Sequence, residues 1–128
     1  MTTHELAARC GCGGVAMKLV VIESPFSGDV ERNKRFLQDC IRDCLARGES
    51  PYASHQMLTE ALRDADPEER KQGIEAGFAW RSAAEYTVVY FQLGVSTGMD
   101  LGVRHAQSIG QPVLYRALSN WPAPVEML

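Results

Sequence analysis

No run in this 128-residue chain approaches the ~20 consecutive apolar residues that a helix needs to span a bilayer, so a membrane-spanning helix is not expected. Basic charge is also short. Thirteen Lys and Arg stand against 16 Asp and Glu, giving a formal net charge of −3, and the basic residues are scattered with no stripe that could track a nucleic-acid backbone. A nucleic-acid partner is therefore not expected. The first residues, Met1-Thr2-Thr3-His4-Glu5, lack a basic stretch followed by an apolar one, which points to a cytoplasmic protein. Cysteine is limited to Cys10, Cys12, Cys40 and Cys44, and the paired CxxC spacing of a zinc site is absent. A four-thiolate site is stereochemically imaginable, but Cys40 and Cys44 fall on the apolar face of a predicted helix, where free cysteine behaves as a small hydrophobe. No metal and no cofactor are expected.

What is present is an ordinary globular balance, 45% hydrophobic and 23% charged, in a chain large enough for one core. Residues 1–16 read as an extension with at most a helical turn at Glu5-Leu6-Ala7-Ala8, residues 17–118 as the domain, and 119–128 as a tail lying over the surface. Lys18 to Glu23 is a continuous β-branched run, as in a strand buried on both faces of a parallel sheet. A helix follows from Asp29 to Gly48, with Val30, Phe36, Leu37, Cys40, Ile41, Cys44 and Leu45 on one stripe. Pro51 to His55 reads as a second strand ending at His55, and Met57 to Leu62 as one or two helical turns. Asp66-Pro67-Glu68-Glu69 starts a helix that runs to about Ser82. Tyr86 to Phe91 is the third strand, Thr97 to Ile109 the last long helix, and Pro112 to Leu118 the last strand. The alternation predicts an α/β chain: a single Rossmann-like three-layer domain with a parallel central sheet of four to five strands, Leu19–Ile22 and Val88–Phe91 being neighbours at its centre.

Ligands of such sheets bind beyond the carboxyl ends of the strands. Four segments should meet there: Ser24 to Asp29, Ser54-His55, Gln92 to Ser96, and Gly98-Met99. The most telling is Leu93-Gly94-Val95-Ser96-Thr97-Gly98-Met99, where small residues let a ligand approach the backbone and the first helical turn offers free N–H groups.

Val21-Ile22-Glu23-Ser24-Pro25-Phe26-Ser27-Gly28-Asp29-Val30-Glu31-Arg32-Asn33, the start Asp66-Pro67-Glu68-Glu69-Arg70 with Gly73-Ile74, and Ser96-Thr97-Gly98-Met99 followed by Gly110-Gln111-Pro112-Val113 together resemble the nucleoside 2-deoxyribosyltransferase-like superfamily, in particular its small phage and bacterial members. The resemblance implies a small-molecule partner, a nucleoside or nucleotide, and commonly a homo-oligomer. It also implies a glutamate on the last helix that attacks the anomeric carbon, and an acid near the third strand's turn that orients the ribose. Counted four residues from Gly98 or ten back from Pro112, the glutamate's position is Gly102 here, and Gln92 stands where the acid would be. Asp100 is near, but two residues along a helix turn it about 200° away.

The expected ligand contacts are Ser24, Pro25, Phe26, Gly28, Ser54, His55, Gln92, Gly94, Ser96, Gly98 and Met99. Phe26 is either a stacking surface for a base or a staple on the first helix, and Met99 either a pocket floor or plain core. Asp100, Glu75 and His55 are the candidates for an acid role. Glu68, Glu69 and Asp29 read as helix-start residues. Three functions are compatible with the sequence: a nucleotide-binding protein that sequesters or senses its ligand without the usual glutamate, an N-glycosidase or 2-deoxyribosyltransferase using a different acid, and an interaction domain without a ligand.

Overall fold

The structure, a computed structural model, describes residues 16–63 and 65–123. Four strands, β1 (Lys18–Glu23), β2 (Glu49–Tyr52), β3 (Tyr86–Tyr90) and β4 (Val113–Arg116), form one parallel sheet in the order β2-β1-β3-β4. Four helices connect them: α1 (Val30–Ala46), α2 (Ser54–Ala61), α3 (Pro67–Ala83) and α4 (Thr97–Ser108). This is the expected α/β three-layer architecture with four strands. The two apolar runs are its central neighbours, Val20 standing beside Tyr86 and Glu23 beside Val89.

Alternation along β1 and β3 splits their side chains between two cores. Val20, Ile22, Val88 and Tyr90 face α1, meeting Phe36, Leu37, Cys40 and Cys44. On the other face Val89 packs on Met99 and Val103 of α4. Each such fully buried apolar side chain contributes roughly 1.5–3 kcal/mol relative to exposure, which is why both faces of the central strands must be covered. The helix starts read from the sequence are in place. Asp29 accepts from Arg32 N at 3.1 Å, and Asp66, just before Pro67, accepts from Glu68 N at 3.0 Å.

A buried ion pair ties the sheet's two edges. Arg116 of β4 donates to both carboxylate oxygens of Glu49 at the start of β2, at 2.7 and 2.6 Å, and Tyr86 Oη donates to the same carboxylate. Hydrogen bonding from Arg116 outweighs burial and holds the Glu49 carboxyl down to about 2. Tyr90 Oη donates to Asp43 at 2.7 Å and lies 3.3 Å from Cys44 Sγ. Cys40 and Cys44 are buried free thiols, as expected, and Cys10 and Cys12 lie outside the described residues along with the rest of the extension. No group of His, Cys, Asp and Glu suited to a metal occurs among the described residues.

Two expectations are corrected. The second strand starts two residues earlier and ends three earlier, over Glu49–Tyr52, because its register with Lys18–Val21 begins at Glu49; Ala53 then caps α2, so His55 stands in a helix's first turn rather than at a strand's end. The last strand stops at Arg116 because the backbone N–H and C=O of Leu118 are both bonded to the Gln92 side chain instead of to a neighbouring strand. The described part of the tail is pinned down. Trp121 meets Phe36 edge-on with centroids 5.0 Å apart, and its Nε1 donates to Asp39 at 2.8 Å.

Candidate functional site

From β1 the chain moves to β2 on one side, and from β3 to β4 on the other, so the strand order reverses between β1 and β3. Where that happens the loops leaving the two strands turn to opposite faces and a crevice opens at their carboxyl ends. Glu23 and Ser24 stand at the end of β1, and Gln92 and the turn into α4 follow β3. Ser96 caps α4, its Oγ accepting from Met99 N at 3.2 Å, and Gly94 takes φ +100°, a left-handed conformation that other residues avoid.

Glu23 is the last residue of β1 and points to the α3/α4 face, where its Oε1 lies 3.4 Å from Arg81 Nη2 of α3. The two side chains are 11% and 4% exposed. Arg81 Nη1 also donates to Thr87 Oγ1 at 2.5 Å, while its Nε has no partner. Thr87 Oγ1 donates on to Gln111 Oε1 at 2.6 Å, and Gln111 Nε2 donates to the carbonyls of Arg81 and Ala84, fixing the end of α3. Burial outweighs the attraction of Arg81, so the Glu23 carboxyl is raised from 4.5 to about 7. The carboxylate rests on the backbone of Gly102. A Cβ at that position would lie 2.2 Å from Glu23 Oε1, 2.6 Å from its Cδ and 2.7 Å from Arg81 Nη2.

On the opposite face, Ser24 Oγ and His55 Nε2 share a hydrogen bond of 2.8 Å that ties β1 to α2. Burial lowers the imidazole from 6.5 to about 4, so His55 is neutral near pH 7. Pro25, Phe26, Asn33, Lys34, Leu37, His55 and Gln56 line a narrow crevice beside this pair. Asn33 Nδ2 shapes the loop by donating to the carbonyls of Phe26 and Ser27 at 3.0 and 2.9 Å. Phe26 thus shares a wall with Leu37 of α1, the position of a staple. Gly28 is exposed at φ +93°.

The remaining residues singled out from the sequence fall in several places. Gln92 is buried, and both ends of its amide are committed to the tail: Nε2 donates to the carbonyls of Leu118 and Pro122, and Oε1 accepts from Leu118 N. Met99 is 2% exposed and part of the core beneath the turn. Gly98 stands exposed in the first turn of α4, and Ser54 packs on Gly77 of α3. Asp100 has a side chain 51% exposed and pairs with Arg104 at 2.8 Å along α4. Glu75 belongs to a separate shallow groove of about 500 Å³ along α3, with Pro67, Lys71, Ile74 and Phe78. The structure therefore brings together Ser24, His55, Pro25 and Phe26, while Asp100 is paired with Arg104 along α4 and Glu75 lines the groove of α3.

The pair Glu23 and Arg81 went unnoticed in the sequence. Its signals were an acid closing an otherwise apolar strand and a glycine, Gly102, between Met99, Val103 and Ala106 on the buried stripe of α4.

The chain belongs to a family described only as Domain of unknown function (DUF7768), whose match spans residues 18–116, from the first residue of β1 to the last of β4. No curated protein and no solved structure matches it.

Proposed function

We propose that this protein binds a nucleoside or nucleotide in the crevice outside β1 and β3, on a scaffold like that of the nucleoside 2-deoxyribosyltransferases, and acts by sequestering or sensing that ligand in the cytoplasm. The observation that carries this is the reversal of strand order between β1 and β3, with the Ser24–His55 pair and the Gly94–Gly98 turn on its rim. The neutral imidazole and the serine hydroxyl suit hydroxyl groups of a sugar, and the free N–H groups of α4's first turn suit an anionic or electron-rich group. Net acidity and the lack of a basic stripe speak against a nucleic-acid polymer in the same place. Among the described residues no helix is long and apolar enough to cross a membrane.

Cleavage or transfer of an N-glycosidic bond is the second function, favoured by a specific feature, the nearly neutral carboxyl of Glu23 beside Gly102. A homo-oligomer also belongs to the proposal. Trp80 and Tyr115 are 52% and 57% exposed, more aromatic surface than a small monomer ordinarily leaves in water.

Thermal-shift screening of the full chain against nucleosides, mononucleotides and cyclic nucleotides tests the binding. A ligand at 100 times its dissociation constant adds about 2.7 kcal/mol, a shift of roughly 10 °C for a domain of this size. No shift with any of these compounds refutes the binding, and light scattering that gives the mass of one chain at tens of micromolar refutes the oligomer.

A further inference from the structure

We propose that the open edge of β4 is an interface between two copies of this chain, which pair antiparallel about a two-fold axis at Leu114 and join their sheets into one. The proposal rests on the homo-oligomer put forward above and assigns the surface that holds it. β4 is an edge strand with β3 on one side only. Thr87 N donates to Pro112 O and Phe91 N to Arg116 O, so Pro112, Leu114 and Arg116 commit their backbone groups to β3, and the alternation of the ladder turns the N–H and C=O of Val113 and Tyr115 outward. Among the described residues none bonds those outward groups. Leu114 is 41% exposed and Tyr115 57%, so apolar side chains flank the open ladder on both faces of the sheet. The one charge on the strand, Arg116, is held by both oxygens of Glu49. Edge strands ordinarily carry a free lysine, a proline or a bulge against such pairing, and Val113–Arg116 has none of these, whereas β2 at the other edge carries Pro51.

A second copy is the occupant because this strand complements itself. With the two-fold axis perpendicular to the sheet, Val113 of each copy stands opposite Tyr115 of the other, and each such pair exchanges its outward N–H···O=C bonds. Leu114 then faces Leu114 of the second copy in the non-hydrogen-bonded position between them, with Cβ atoms about 4.5–5.5 Å apart. The faces are set by what each side chain already touches. Arg116 reaches Glu49 and Cys44 on the α1 side, so Leu114, two residues back, shares that side, while Val113 packs on Val89, Met99 and Val103 and the Tyr115 ring meets Phe91 on the other. Each Tyr115 therefore lies against Val113 of the second copy, an aromatic and β-branched pair of the kind that stabilises antiparallel strands. Arg116 stands opposite Pro112, so no like charges meet. The neighbouring register, with Tyr115 opposite Tyr115, sets Leu114 against Arg116 and loses both apolar pairings.

The mass of the full chain in solution is followed by light scattering over a dilution series. The expected result is a parent dimer whose dissociation constant rises at least about 100-fold in Leu114→Lys, which sets two ammonium groups against each other at the axis. Tyr115→Pro removes an outward N–H without touching the bonds to β3, and is expected to give single chains with the circular dichroism of the parent. Leu114→Cys is expected to form a reducible covalent dimer under copper(II)–phenanthroline and air, beyond any that the parent forms, because the two Cβ atoms face each other across the axis. If Leu114→Lys or Tyr115→Pro does not fold, this cross-link decides. A parent with the mass of one chain overturns both the oligomer and the interface. A mass unchanged in Leu114→Lys and Tyr115→Pro, no cross-link through position 114, or a dimer lost only in Trp80→Ser overturns the β4 interface and leaves the oligomer standing.

Discussion

Gly102→Ala adds one methyl group to a helix interior, where alanine is ordinarily favoured over glycine by about 1 kcal/mol. Here the methyl carbon would lie 2.2 Å from Glu23 Oε1 and 2.7 Å from Arg81 Nη2, and the first of these is roughly 1 Å short of ordinary contact. Relief requires the carboxyl and the guanidinium to move apart, yet both side chains are almost wholly buried and already lie 3.4 Å from each other. Overpacking of this kind costs roughly 1–3 kcal/mol, and loosening a buried ion pair adds to that, so steric cost wins over propensity. The expected net effect is a loss of about 1–2 kcal/mol, read as a lower urea midpoint with an unchanged slope. In a Glu23→Ala background the closest obstruction is gone and Arg81, 2.7 Å from the methyl carbon, has room to shift into the vacated space, so the same methyl should become neutral or stabilising by up to about 1 kcal/mol. The double-mutant cycle over Glu23→Ala and Gly102→Ala should therefore show a coupling of about 2 kcal/mol. Additivity within about 0.5 kcal/mol, or a Gly102→Ala variant more stable than the parent, would refute the assignment of Gly102 as clearance for Glu23.

Raised to about 7 from 4.5, Glu23 holds its proton in the folded state over a window where the unfolded chain has released it. Its contribution is complete below 4.5 and is lost as pH rises through about 7, on the order of 1–3 kcal/mol, and Glu23→Gln should remove that slope in denaturation measured across the window. His55 acts in the opposite sense: lowered from 6.5 to about 4, it contributes above 6.5 and the contribution is lost as pH falls toward 4, so His55→Gln should make the Glu23 slope steeper. Equal slopes in the parent and in both variants would contradict these assignments. Glu49, held at about 2 by Arg116, contributes above 4.5 and loses its contribution as pH falls toward 2; Glu49→Gln should be destabilised by about 2–4 kcal/mol at neutral pH and show a shallower acid limb. Gly98→Trp places its side chain at an exposed first-turn position whose Cβ would meet only Ser96 Oγ, at 4.0 Å. It should fold with an unchanged melting temperature and lose the ligand-induced shift, and retention of that shift would move the ligand away from the α4 turn.

The fold was legible because its determinants are local and periodic. Val20-Val21-Ile22 and Val88-Val89-Tyr90 are apolar without alternation, which demands cover on both faces, and Asp29, Asp66 and Ser96 mark helix starts by side chains that reach only two or three residues along the chain. The second strand was misplaced by two to three residues because it is a short edge strand whose pairing with Lys18–Val21 is set by β1, not by its own Glu49-Ser50-Pro51-Tyr52 sequence. Gln92 shows what only the folded chain reveals. An amide at a strand end looks like a ligand contact, and only the return of the tail to that point shows its hydrogen-bonding capacity spent on Leu118 and Pro122.

Gly102 shows most clearly what a linear reading leaves out. Along the sequence the position reads as a gap, a buried helix stripe missing a side chain between Met99 and Val103. In three dimensions nothing is missing, because the carboxyl of a residue 79 positions earlier fills that volume. An acid ending β1 and a glycine inside α4, far apart along the chain, form one packing arrangement, since the Glu23 carboxyl and a side chain at 102 exclude each other from the same space. The carboxyl beside Arg81 is thus delivered by a strand end that pairs with β3, Glu23 standing beside Val89. The physical consequence is a carboxyl fixed by the sheet rather than by the winding of α4. Shifts of α4's first turn around a ligand should therefore leave Glu23 in place, and spectroscopic titration of Glu23 should give the same midpoint in Gly98→Trp as in the parent chain.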